Sequence, residues 1–187
     1  NIFANNKIFD VTVSGIRIEN TINTYIYGNE IGNVTLTGNI SGDNGYAGIR
    51  TASATGNTYI YNNKISNVSY LGTLSNYRVN GLSLGSGSVA NSNITATGYV
   101  FNNIISNIQA PNVVATNLYT ATYLAISDLG SFTAAFYKIF NNTFYNEANA
   151  PFFFIYSNGL HPNNAFELRN NIMMVNTAPG YVNTMPG

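Results

Sequence analysis

Residues Tyr59-Ile60-Tyr61-Asn62-Asn63-Lys64-Ile65-Ser66-Asn67-Val68 alternate aromatic and aliphatic side chains up to a pair of asparagines, then resume with an apolar residue two places on. The same unit recurs at Ile2 to Ile8, Tyr25 to Ile31, Tyr99 to Ile105, Lys138 to Phe144 and Glu167 to Met173. Aligned on the second asparagine, six anchors stand out: Asn6, Asn29, Asn63, Asn103, Asn142 and Asn171, separated by 23, 34, 40, 39 and 29 residues. A helical solenoid keeps its period more tightly. Variable spacing around a constant strand-turn-strand core fits a β-solenoid, whose stacked strands stay fixed while its loops lengthen.

The columns of this alignment give the faces. Three places before the anchor stand Phe3, Ile26, Ile60, Val100, Ile139 and Leu168, and two places after it Ile8, Ile31, Ile65, Ile105, Phe144 and Met173. Side chains alternate along a strand, so these two columns line the interior. A further strand follows at Gly15 to Ile18, Gly48 to Thr51 and Gly81 to Leu84, with weaker counterparts at Tyr123 to Ile126 and Phe153 to Tyr156. Insertions are expected around 36–47, 70–80, 85–97, 109–121, 128–136 and 157–165, where Gly, Ser, Asn or Pro accumulate.

The anchor column is polar. Asparagine at a bend tolerates left-handed backbone, and its amide can donate to the carbonyl of the Asn one coil away, so the anchors should form a ladder. A second polar column, four places on, holds Asp10, Asn33, Asn67, Asn107 and Asn146, before Val175 ends it. The expectation is two Asn ladders at two corners.

Composition agrees. The chain has 187 residues, 33 of them Asn, with 14 Tyr, 11 Phe and 17 Gly, a set that disfavours helix. Only 7% is charged and the net charge is zero, so a phosphate backbone would find nothing to neutralise it and no nucleic-acid partner is expected. Apolar residues come in short runs, so no membrane insertion is expected. Zero cysteine and one histidine, His161, leave no familiar metal-ligand set. No cofactor or metal is expected. Asn1 falls inside the repeat pattern, so the chain reads as one β-helix domain, 1–187, whose two ends continue in a parent protein.

The unit from Tyr59 to Val68 resembles the coil of right-handed parallel β-helices of the pectin-lyase-like superfamily, and the resemblance covers nearly the whole chain. It implies an all-β, right-handed, single-stranded parallel β-helix of about six coils. The last copy, Leu168 to Asn176, is similar to coils in large bacterial surface proteins exported by type IX secretion, which implies an extracellular or cell-surface location. Such a fold hosts lyases, hydrolases, tailspikes and adhesive stalks alike.

The residues argue against catalysis. The Asn-Thr-Asp, Asp-Asp, Gly-His-Gly and Arg-Ile-Lys motifs of family polygalacturonases are missing, and the nearest match, Ile16-Arg17-Ile18-Glu19, ends in the wrong charge. The seven acids are scattered, whereas lyases cluster carboxylates around calcium and glycosidases pair them. Asp43 reads as a turn residue. Glu30 falls between Lys7 and Lys64 in the column after the anchor, which suggests a surface charge ladder rather than an acid.

The outward columns are more informative. Four places before the anchor stand Tyr25, Tyr59 and Tyr99, and two places before it Tyr27, Tyr61, Phe101 and Phe140. Stacking places all seven in two files on one sheet, a patch larger than soluble monomers usually leave bare. Three roles compete: stabilisation by like-on-like stacking, sugar binding on flat Tyr faces beside Asn amides, and an interface with a neighbouring protein or secretion component. The reading is a non-enzymatic structural and adhesive segment presenting an aromatic face to glycan or protein. Its alternative is a fragment of a polysaccharide lyase or glycoside hydrolase whose catalytic coils lie outside this stretch.

Overall fold

The structure, a computed structural model, describes residues 1–19, 21–37, 46–52, 55–73, 79–86, 95–113, 121–128, 134–147, 152–158, 165–175 and 180–184. Its strands fall three to a coil. Coil one holds β1 (Ile2–Ala4), β2 (Lys7–Val11) and β3 (Ser14–Glu19), and coil two β4 (Ile22–Tyr27), β5 (Glu30–Leu36) and β6 (Tyr46–Ala52). Coil three holds β7 (Thr55–Tyr61), β8 (Lys64–Tyr70) and β9 (Val79–Ser86), and coil four β10 (Thr95–Phe101), β11 (Ile104–Gln109) and β12 (Ala121–Asp128). Coil five holds β13 (Ala134–Phe140), β14 (Thr143–Asn146) and β15 (Phe152–Asn158), and coil six β16 (Ala165–Arg169), β17 (Ile172–Val175) and β18 (Gly180–Thr184).

Each strand pairs with the strand three later, always parallel, giving three six-stranded sheets: β1-β4-β7-β10-β13-β16, β2-β5-β8-β11-β14-β17 and β3-β6-β9-β12-β15-β18. The two intervening strands serve as the crossover that a parallel pair requires. The described residues form a right-handed parallel β-helix of six coils. Strands stop and restart around each of the six expected insertions.

Both apolar columns hold their register. Phe3, Ile26, Ile60, Val100, Ile139 and Leu168 pair in succession across the first sheet. Ile8, Ile31, Ile65, Ile105, Phe144 and Met173 do the same across the second. Within coils two to five every member of both columns is fully buried. Each such side chain contributes about 1.5 to 3 kcal/mol by leaving water.

The corner between the first two sheets divides its labour between two residues. Left-handed backbone belongs to the residue before the anchor: Asn5, Asn62, Asn102, Asn141 and Asn170, with φ between 51° and 57°, and Gly28 at 65°. The anchors themselves keep ordinary φ, which corrects the expectation that one Asn would both turn the chain and form the ladder. Freed from the turn, the anchor side chain points inward. Asn29, Asn63, Asn103 and Asn142 are 0–1% exposed. Asn6 Nδ2 donates to Asn29 Oδ1, and the series continues through Asn63, Asn103 and Asn142 to Asn171 at 2.9–3.0 Å. Each Oδ1 also accepts the backbone N–H of the anchor one coil earlier, at 3.0 Å. The second amide proton goes to the carbonyl oxygen of Phe3, Ile26, Ile60, Val100 or Ile139 at 2.9–3.0 Å.

The second row differs from expectation in place and membership. Asp10, Asn33, Asn67 and Asn107 all have φ between 54° and 58°, and the first three are exposed, so this row lies on the outer surface. Its bonds are longer and run the other way: Asn107 Nδ2 donates to Asn67 Oδ1 at 3.3 Å, Asn67 to Asn33 at 3.4 Å, and Asn33 to Asp10 at 3.1 Å. Aspartate fits the last place because an ionised carboxylate only accepts. Asn146 does not belong to the row. It is fully buried and absent from the left-handed set, because β14 keeps simple alternation through Phe144 and Asn146.

The third sheet comes closest to the second at a column of glycines. A Cβ on Gly48 would lie 2.4 Å from Ile65 Cγ2 and 2.8 Å from the Gly81 carbonyl oxygen, and Gly15 and Gly81 are equally tight. In coil four this place is taken by Tyr123, which is fully buried, contacts Phe144 edge to face at 6.4 Å between centroids, and donates its hydroxyl to the Tyr145 carbonyl at 2.9 Å.

Candidate functional site

The outer face of the first sheet carries the seven aromatic residues expected there. The register places Tyr25, Tyr59 and Tyr99 in one file, and Tyr27, Tyr61, Phe101 and Phe140 in the other. Ring centroids are 4.9 and 4.7 Å apart in the first file, with interplanar angles of 5° and 6°. In the second they are 4.9, 4.8 and 5.0 Å apart, at 10°, 0° and 2°. These distances match the spacing of strands in a sheet, so each ring sits over its counterpart in the next coil.

That geometry changes what the face can do. Parallel rings laid flat on a sheet at this spacing would overlap, so the rings stand up from it. Their faces meet their neighbours, and edges and phenol hydroxyls point outward. The expected flat Tyr faces for sugar stacking are therefore taken up within the files; hydroxyl hydrogen bonding and edge contacts remain. Beside the files, the exposed side chains of Asn62, Asn102, Asn141 and Asn170 form a row of carboxamides at the same repeat, with Asn5 beyond the gap left by Gly28 in coil two.

Stacking also alters the central phenol of the first file. Tyr59 has its pKa raised, chiefly by loss of solvent and then by Tyr99 and Tyr25 on either side. A folded-state pKa above the unfolded value means that the associated stability is complete below about pH 10 and is lost as pH rises through the raised value. Difference titration of tyrosinate absorbance between the parent chain and Tyr59→Phe should show the missing component above pH 10. A missing component at or below the free-tyrosine range would contradict this.

The files end in charge. Lys138 follows Tyr99 in register and Glu167 follows Lys138, while Arg169 follows Phe140. Lys138 Nζ lies 5.5 Å from the Tyr99 ring centroid and 5.6 Å from that of Phe136. Arg169 Nε bonds Glu167 Oε1 within its own strand. With Phe140, Asn141 and Asn170, these three side chains line an open cavity of about 300 Å³. The sequence held the signal, since all three charges occupy the aromatic columns of the last two coils.

Elsewhere, Lys64 Nζ meets Glu30 Oε1 at 3.1 Å in the expected charge row, with Lys7 in register on the other side. Asp43 and His161 lie outside the described residues. Among the described residues no three of His, Cys, Asp and Glu gather as a metal site. No protein-family model, curated protein or solved structure matches the chain.

Proposed function

We propose that the chain is a rigid, non-enzymatic segment of an extracellular bacterial surface protein, of the pectin-lyase-like kind exported by type IX secretion, and that its first sheet holds a surface glycan or a neighbouring protein. The observation that carries this reading is the pair of stacked files, one running through coils two to four and the other through coils two to five, half-exposed and bordered by carboxamides from coil three onward. A continuous stack stiffens the rod along its axis. Its hydroxyls and amides repeat at coil spacing and offer hydrogen bonds to an extended polymer lying along the same axis.

The test is a triple substitution, Tyr25→Ser, Tyr59→Ser and Tyr99→Ser, assayed on a glycan array and by pull-down of outer-surface proteins. Loss of a bound glycan or partner with the β-sheet circular dichroism intact is the expected result. Unchanged binding would leave the files a purely structural role. Separately, Phe101→Ser removes two stacked pairs and should cost about 1 to 3 kcal/mol by urea denaturation.

The second reading, a fragment of a polysaccharide lyase or glycoside hydrolase, draws on the cavity shared by Lys138, Glu167 and Arg169. It supplies one carboxylate where hydrolysis uses two. Depolymerase activity lost in Glu167→Gln would support it.

A further inference from the structure

The stacked files leave few ring faces free, and their ends are where one can open. Phe140 has a stacked neighbour on one side, Phe101, while the residue that follows it in register is Arg169. Arg169 is turned along its own strand onto Glu167 and does not continue the file. The ring instead lines the open cavity, together with the exposed amides of Asn141 and Asn170.

The charge of this cavity is unbalanced. Glu167 is engaged by Arg169, whereas Lys138 Nζ rests against two aromatic rings, and among the described residues no carboxylate lies within ion-pair distance of it. Rings position an ammonium without neutralising it. The wall therefore offers an apolar ring, two amides and a cation still able to take an anionic partner.

We infer that this cavity binds a single six-membered ring carrying a carboxylate, with the ring against Phe140, the carboxylate on Lys138 and the remaining polar groups on Asn141 and Asn170. The proposal deepens the reading of this sheet as a binding face and rests on it. An acidic sugar and an aromatic acid share this chemistry, and the probes separate them.

The 187-residue chain is titrated with glucuronate, glucose and benzoate, followed by ligand-observed NMR. Glucuronate and benzoate should bind, with glucose about tenfold weaker, as befits loss of one charge-assisted contact. The tighter of the two acids identifies the source. Lys138→Gln should weaken both acids about tenfold and leave glucose unchanged. Phe140→Ala should abolish binding, and Phe140→Tyr, which keeps the ring and the stack, should retain it. Tyr25→Ser with Tyr27→Ser, three coils away, should abolish capture of polymer by the strip and leave glucuronate binding intact, so failure of the strip and failure of the cavity are told apart. Equal affinity for glucose and glucuronate, no binding of either acid, or an unaffected Lys138→Gln would overturn the proposal.

Discussion

Replacing Asn103 by Leu should destabilise the β-helix by about 3 to 5 kcal/mol, although the two side chains are nearly the same size. Asn103 is 1% exposed, and its amide takes part in five hydrogen bonds, to or from Asn63, Asn142, Ile60 and Phe101. Leucine would fill the space, leave the buried Asn63 backbone N–H without a partner, and remove one bond each from the Asn63 amide, the Ile60 carbonyl and Asn142 Oδ1. Each such group costs about 1 to 3 kcal/mol, offset in part by the added apolar surface. Asn67→Ala provides the contrast. Its bonds are 3.3 and 3.4 Å long on an exposed surface, so its cost should be the roughly 1 to 2 kcal/mol of left-handed backbone, and Asn67→Gly should recover most of it. Urea denaturation of the three variants checks the order. Equal losses for Asn103→Leu and Asn67→Ala would refute the division into an inner and an outer row.

Gly48→Ala should be as damaging through one methyl group. The added carbon would meet Ile65 Cγ2 at 2.4 Å and the Gly81 carbonyl oxygen at 2.8 Å. Ile65 is fully buried in the second sheet, and the carbonyl is part of the next coil, so neither can retreat without moving a sheet. Overpacking of this kind costs about 3 kcal/mol at the upper end of its range, and the chain should be recovered largely unfolded or with a sharply lowered urea midpoint. At Gly32 the new carbon would meet the Phe9 ring at 2.7 Å, but that ring is 42% exposed and can swing outward. Gly32→Ala should therefore fold with little loss. If Gly48→Ala were tolerated as well as Gly32→Ala, the close approach of the third sheet to the second would be disproved.

The coil was legible in the sequence because a period of two repeats around a fixed asparagine six times, and a one-residue slip would turn every apolar side chain outward. What could not be read was orientation beyond the side of the sheet. Alternation places Tyr59 outside but says nothing of its ring plane, which Tyr25 and Tyr99 decide. The fate of Asn146 was readable in retrospect. Asp10, Asn33, Asn67 and Asn107 are each followed by Val or Ile, whereas Asn146 is followed by Glu147, so no apolar residue after it required the extra left-handed turn. Tyr123 breaks a column that holds Gly15, Gly48 and Gly81 in the three coils before it, so its strand reads as weak. Its ring is housed among Phe144 of the second sheet and Phe154 of its own, contacts that leave no periodic trace.

The opposed running of the two amide rows has an electrical consequence. Head-to-tail carboxamides sum their dipoles as peptide units do in an α-helix. The buried row points its donors toward higher residue numbers and the surface row toward lower ones, so their moments subtract, and parallel sheets add little of their own. Five buried links run one way and three surface links the other, so the rod is polarised far less than one row alone would make it, and transient electric birefringence should detect far weaker field alignment than for an α-helical rod of equal length.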